Sequence, residues 1–369
     1  MKIAYDSQIF SGQIYGGVSR YICELATRIS KNPELDVKVV APMFVNAYLE
    51  NLPKSILQGF HSPFPYEFMR LYQRAGSMLL GDIMLQAIKP DIVHETYYFK
   101  YPLGPKRAVR ILTIHDMIHE KFESQFQYGD KTSRHKALAA ARADHVICVS
   151  ESTKHDVIEI LGISPEKISV IHLGFDLMAA NNNAHDQMPP LMDKPYLLYV
   201  GNRGGYKNFQ QMLEAYASSK LLKSEFKVIC FGGGDFNTEE LAIMHKLNIS
   251  GDQVRQISGD DQLLAKLYQG ARAFVFPSLY EGFGLPPLEA MSYGCPVVCS
   301  NKSSIPEVVG DAGQYFDPYD VNSIQTAIEE VVESNELSES LAKLGRNRLN
   351  TYSWDKCARD TLHIYKNII

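Results

Sequence analysis

The chain has 369 residues, of which 45% are hydrophobic and 21% charged, with a formal net charge of −5. That length exceeds one typical domain and suggests two, and the composition excludes a disordered or collagen-like chain. The acidic balance argues against nucleic acid as a partner, and no apolar run approaches the roughly 20 residues needed to span a bilayer.

The opening Met1-Lys2-Ile3-Ala4-Tyr5-Asp6 reads as a strand and lacks the basic, apolar and small-residue order of a signal segment, so the expected location is the cytoplasm. Gly16-Gly17 follows, where a missing Cβ lets backbone approach a phosphate closely. Behind it Val18, Ile22, Leu25, Ala26 and Ile29 recur at helical spacing. Strands are expected at 2–5, 36–40, 91–94, 110–114, 145–149 and 168–171, alternating with helical stretches as in a parallel sheet covered on both faces. The segment 60–74 interleaves aromatics with Arg70 and Arg74. It reads as an aromatic-rich helix packed on its own domain, with an anionic membrane surface or an acceptor groove as alternatives. Thr113-Ile114-His115-Asp116 ends one strand, where a histidine is as often a satisfied core residue as a ligand contact. His94-Glu95 and Ser150-Glu151 end others and are candidates for an acceptor side.

Between 174 and 194 the apolar periodicity stops at Asn181-Asn182-Asn183 and Pro189-Pro190, which marks a linker. The alternation then restarts, with strands expected at 196–200, 226–231, 254–257, 273–276, 296–299 and 314–316. The stretch 353–369 reads as one amphipathic helix with no strand after it. The expected organisation is an N-terminal domain over 1–174, a linker over 175–194, a second domain over 195–350 and a terminal helix over 351–369. Ligands of doubly wound sheets sit at the carboxyl ends of the strands, and two such domains face to face would leave a cleft.

The sharpest segment runs from Pro277 to Met291, PSLYEGFGLPPLEAM. It leaves a buried strand through a glycine-rich loop, and Pro286-Pro287 then start a helix with φ preset. The amides of Gly282, Phe283, Gly284 and Leu285 are placed for an anion, assisted by the helix dipole. Glu281 and Glu289, with seven residues between them, flank that loop. Carboxylates repel phosphate but accept hydrogen bonds from hydroxyls, which suits Glu281 to a donor sugar and Glu289 to a ribose. The bland alternative is that Glu289 is a favourable acid in a first helical turn. A second element, Gly201 to Asn208, sets Arg203 and Lys207 on a glycine-rich strand-to-helix loop, the setting in which cations neutralise a diphosphate; a plain basic turn is the alternative.

The six cysteines are scattered in apolar stretches and read as buried thiols, and Cys295 and Cys299 lack the second pair that a zinc site needs. The dinucleotide fingerprint, the Walker loop and the nucleophile elbow are missing. So is Asp-x-Asp, so no metal is expected on the diphosphate and no cofactor is called for.

These residues resemble a known family. Gly259-Asp260-Asp261, Pro277-Ser278, Glu281 to Pro286, Glu289-Ala290, Gly294, Pro296-Val297-Val298, Pro306-Glu307 and Asp311-Ala312-Gly313 look like retaining glycosyltransferase family 4, with the GT-B fold of two Rossmann-like domains facing across a cleft. The resemblance covers nearly the whole chain. Tyr5 to Gln8 and Gly16 to Tyr21 look like bacterial members that build O-antigens or capsules, often mannosyltransferases. The resemblance implies that Glu289 binds ribose hydroxyls and that the amides of residues 282–285 hold the phosphate and donor sugar. It implies that Glu281 and His115 contact the donor sugar, that Arg203, Lys207 and Gly259 belong to the nucleotide site, and that Gly16-Gly17 form the N-terminal phosphate loop. Asn202 and Gly204-Gly205 depart from the usual form of the Arg203 loop.

The implied activity is metal-independent transfer of a hexose, with retention by front-face attack and with the leaving phosphate oxygen taking the acceptor proton. GDP-mannose is the favoured donor and a UDP-sugar the next; the acceptor would be a glycan or lipid-linked glycan, with peripheral contact to the inner membrane surface as an option. An epimerase or phosphorylase on the same fold and a non-catalytic scaffold are the alternatives, and the missing fingerprint disfavours a nicotinamide oxidoreductase.

Overall fold

The computed structural model describes residues 1–62, 66–176 and 193–369, without the side chains of 66–71. Most of the 175–194 linker and much of the aromatic segment 60–74 therefore lie outside the described residues.

Two compact units are present: Met1–Gly174 together with Tyr352–Ile369, and Phe175–Thr351. The first holds a seven-stranded sheet in the order β3-β2-β1-β4-β5-β6-β7. Its strands are β1 (Lys2–Tyr5), β2 (Asp36–Phe44), β3 (Leu57–His61), β4 (Ile92–Glu95), β5 (Val109–Ile114), β6 (His145–Cys148) and β7 (Ile168–Val170). The second holds six strands in the order β10-β9-β8-β11-β12-β13, namely β8 (Tyr196–Val200), β9 (Lys227–Phe231), β10 (Val254–Ile257), β11 (Ala273–Phe276), β12 (Val297–Ser300) and β13 (Gly313–Phe316). Every pairing is parallel. Strands covered on both faces need side chains apolar on both sides. Ala273–Phe276 and Val297–Ser300 are accordingly buried at every position.

Strand β3 was not expected. It is an edge strand whose last three residues are exposed, so it carries no apolar run. β2 is also longer than the 36–40 reading.

The terminal helix Trp354–Ile368 packs on the helix Gly17–Ile29 of the first unit. Tyr365 reaches the Tyr5 hydroxyl at 3.3 Å, and Arg28 Nε donates to Asp355 at 2.9 Å. Gly174 meets this helix so closely that a Cβ would stand 2.4 Å from the Trp354 Cα. All six cysteines are buried, and burial pushes the Cys148 and Cys357 thiols up to about 12, which leaves them unreactive. Among the described residues, no helix is long and apolar enough to cross a membrane.

Candidate active site

In each sheet the chain adds strands outward on one side of the first strand and then reverses to the other side. The reversal falls between β1 and β4, and again between β8 and β11. Loops leaving such a pair diverge and open a crevice at the carboxyl edge, where doubly wound folds bind ligands.

In the second unit the two loops at this point carry three charged residues singled out in the sequence, Arg203 and Lys207 on one and Glu281 on the other. The β8 loop turns through Gly201 and Gly205 at positive φ and ends at Asn208, which has φ 58° and whose side chain donates to the Pro318 carbonyl at 2.8 Å. The β11 loop is tied to it by the Leu279 amide, which donates to the Tyr206 carbonyl at 2.8 Å. Across the gap Lys207 Nζ lies 2.7 Å from Glu281 Oε1, with the Tyr206 and Phe276 rings 5.2 and 5.9 Å from the ammonium. Side chains 74 residues apart in sequence thus meet where the fold opens.

Two serines that sequence reasoning missed hold the glycine-rich loop. Ser303 Oγ accepts from the Glu281 amide at 3.2 Å and donates to its carbonyl at 2.6 Å, while Ser304 Oγ lies 2.8 Å from that carbonyl and 2.9 Å from that of Phe283. Their only sequence signal is a Ser-Ser pair between a strand and Ile305–Val309. Gly284, at φ 108°, caps the helix Leu285–Ser292. Pro286 and Pro287 have no N–H to offer, so an anion here must be met by amides up to Leu285. Glu289 lies outside the first turn of this helix, which contains no acid, and this corrects the bland reading of that residue. It accepts instead from the Tyr268 hydroxyl at 3.2 Å. Gly259 precedes Asp260, whose side chain accepts from the Leu263 amide and caps the helix Asp261–Gly270. Arg203 is not brought to Lys207: its guanidinium turns to the carbonyls of 232–235 and to Glu240.

In the first unit the β1 and β4 loops are joined by Thr96, whose hydroxyl donates to Asp6 Oδ1 at 2.6 Å and whose amide does so at 3.0 Å. Gly16 and Gly17 follow at the start of Gly17–Ile29, with open space where a Gly17 Cβ would stand. His115 leaves β5, its amide donating to the Tyr98 hydroxyl at 3.4 Å and its ring edge-on to Tyr21 at 5.0 Å. Beneath it lies Lys136, fully buried and unremarked in the sequence, whose ammonium donates to the Asp116 carbonyl at 2.8 Å and to Glu120 at 2.7 Å. Its signal, one lysine in Thr132–Arg142, is indistinguishable from a solvated one.

The suggested acceptor-side residues belong to the scaffold instead. His94 is buried between the Tyr365 hydroxyl and Thr113, Glu95 is clamped by Arg110 and Arg142, and Ser150 caps the helix Glu151–Leu161.

A family model described as glycosyl transferases group 1 matches residues 181–348, and one described as glycosyltransferase family 4 matches residues 15–178. The chain is 31% identical over 290 residues to O-antigen chain mannosyltransferase B of Escherichia coli, covering 75% of this chain and 74% of that protein. The chain belongs to glycosyltransferase family 4. Its fold is GT-B, the architecture of sucrose-phosphate synthase from Thermosynechococcus elongatus, which matches with a TM-score of 0.76 at 20% identity and covers 100% of this chain and 98% of that one. Anabaena HepE, solved in complex with UDP and glucose, matches with a TM-score of 0.72 at 17% identity over 100% of both chains.

Two histidines, His94 buried and His115 half-buried, set an expected acid response. Burial, chiefly, lowers His94 to about 3 and His115 to about 4, so both rings are neutral at neutral pH. The unfolded chain takes up these protons near 6.5. The associated stability is therefore complete above that pH and is lost as pH falls toward 4, by up to about 1.4 kcal/mol per pH unit for each ring. Asp6, raised to about 6 by burial and then by Glu95, acts in the opposite sense: its contribution is full below its ordinary value and is lost as pH rises through 6. Denaturant unfolding from pH 7 to 4 is expected to show a shallower loss of stability in His94→Gln than in the wild type. Equal slopes would remove His94 from this effect.

Proposed function

We propose that this glycosyltransferase is a retaining, metal-independent hexosyltransferase that moves mannose from GDP-mannose to a glycan or lipid-linked glycan in the synthesis of bacterial surface polysaccharide. The observation that carries the reading is the Lys207–Glu281 pair at the β8/β11 reversal, a cation and a carboxylate side by side at the edge where such folds bind ligands. The name of the Escherichia coli relative favours mannose and a surface glycan.

A nucleoside diphosphate arriving there competes with Glu281 for the Lys207 ammonium. Lys207 and the amides of residues 282–285 stabilise charge as it grows on the leaving diphosphate, the task otherwise given to a metal. Glu281, released from Lys207, accepts from donor-sugar hydroxyls. Glu289 accepts from the ribose, oriented by the Tyr268 hydroxyl. Neutral His115 offers a hydrogen bond to the sugar without adding charge. The leaving phosphate oxygen takes the proton of the acceptor hydroxyl as that hydroxyl attacks from the same face, so the anomeric configuration is kept.

Thermal-shift titration of the chelator-treated protein with GDP, UDP, TDP, ADP and their sugar conjugates tests the donor reading. Stabilisation by GDP and GDP-mannose is expected, a preference for another base would overturn the donor, and no shift from any of them would overturn the site. Calorimetry on Glu289→Ala should show nucleotide binding weakened by about 1–3 kcal/mol, the cost of unpaired ribose hydroxyls. Unchanged affinity would remove Glu289 from the ribose.

A further inference from the structure

Arg203 has the composition of a phosphate ligand but not the geometry of one. Its side chain is 2% exposed. Nε donates to Glu240 Oε1 at 2.8 Å, Nη1 to the Gly232 carbonyl at 2.9 Å, and Nη2 to the carbonyls of Gly234 at 2.9 Å and Asp235 at 3.0 Å. The Phe236 ring lies 4.8 Å from the guanidinium carbon. A guanidinium carries five N–H donors in a fixed fork, and here four of them are engaged by one turn and one carboxylate.

That turn is unusual. Gly232, Gly233 and Gly234 all have positive φ, at 81°, 72° and 71°. A Cβ on Gly233 would stand 2.8 Å from the Gly201 carbonyl oxygen and 2.9 Å from Arg203 Nη1, so the turn packs directly on the loop that carries Lys207. A run of left-handed residues costs backbone entropy and leaves its carbonyls bunched together; the guanidinium gathers them. Glu240 completes the unit: it accepts from Arg203 and from the Asn237 amide at 2.8 Å, closing a capping box at the start of Thr238–Lys246.

We infer that Arg203 is a positioning residue for nucleotide binding, building the 232–235 turn beside the Lys207 loop, and that it does not neutralise the diphosphate. The inference rests on the donor-site reading above. A cation on the diphosphate discriminates between ligands by phosphate charge, whereas a residue that shapes the cradle weakens ligands of either charge alike.

The test measures calorimetric Kd for GMP and GDP, or UMP and UDP if the protein prefers uridine, in the wild type, Arg203→Gln, Glu240→Gln, the double variant and Lys207→Gln. Arg203→Gln is expected to weaken mono- and diphosphate by the same factor, about tenfold. Glu240→Gln should do the same, and the double variant should be no worse than the worse single one, because both changes undo one unit. Lys207→Gln should instead weaken the diphosphate selectively. If Arg203→Gln is too unstable to assay, Glu240→Gln decides alone, since it removes the carboxylate that anchors the fork while keeping the cap. A diphosphate-selective loss in Arg203→Gln, or wild-type affinity for both ligands in Glu240→Gln, would overturn the inference and leave the donor site standing. A wild-type protein that binds no nucleotide would overturn both.

Discussion

Lys207→Gln is expected to lower transfer turnover by about 10²–10³-fold, the loss typical of removing one preorganised group that meets developing charge. The side chain is held, not waving: its ammonium sits against Glu281 and two aromatic rings, with the lysine 21% and the glutamate 11% exposed. The ammonium is therefore held at the crevice before the diphosphate arrives, and on binding it exchanges Glu281 for the leaving group. The substitution has a second consequence, because Glu281 loses the partner that offsets its partial burial. Lys207→Arg separates the two effects, since it keeps the charge and loses the fit. Steady-state transfer assays are expected to rank wild type above Lys207→Arg and that above Lys207→Gln, with the melting temperature lowered in Lys207→Gln and little changed in Lys207→Arg. Less than a tenfold loss in Lys207→Gln would take Lys207 off the leaving group.

Trp354→Ala is expected to destabilise the first unit by about 3–5 kcal/mol, the range for truncating a buried tryptophan. Trp354 is 3% exposed and begins the helix that binds this unit's last segment to its first helix. Its ring lies 6.3 Å from that of Tyr21, and Gly174 packs against its backbone. The change opens a cavity at the place where the chain returns. Trp354→Phe is expected to cost only about 1 kcal/mol, because the buried indole N–H has no partner among the described residues and its removal leaves no donor unmade. Differential scanning calorimetry checks this, with the transition of the first unit moving down and that of the second unmoved. A loss below about 1 kcal/mol in Trp354→Ala would mean that the helix is not held by this ring.

Most strands were legible because parallel strands buried on both faces must be apolar throughout; Tyr196–Val200 and Ala273–Phe276 fall where the sequence puts them. β3 was not, because an edge strand with exposed side chains carries no such constraint. The charged and glycine-rich loops were equally visible, since a loop that must bend and hold charge needs residues that a core excludes. What the loop residues touch was not visible. Arg203 and Lys207 look equivalent as two cations on one loop, yet one faces Glu281 and the other backbone carbonyls 29 to 32 residues further along.

The sequence by itself therefore determined the two doubly wound sheets, the family, and the loops that carry the candidate chemistry, because apolar alternation and glycine placement are local requirements of a buried parallel sheet and its turns. Tertiary structure alone decided which side chains are paired and which are scaffold. It joined Lys207 to Glu281, spent Arg203 on the 232–235 turn, took His94 and Glu95 into the core, and laid the terminal helix on the first unit. A side chain's partner depends on strand order and on where each loop leaves the sheet, and no local pattern encodes those.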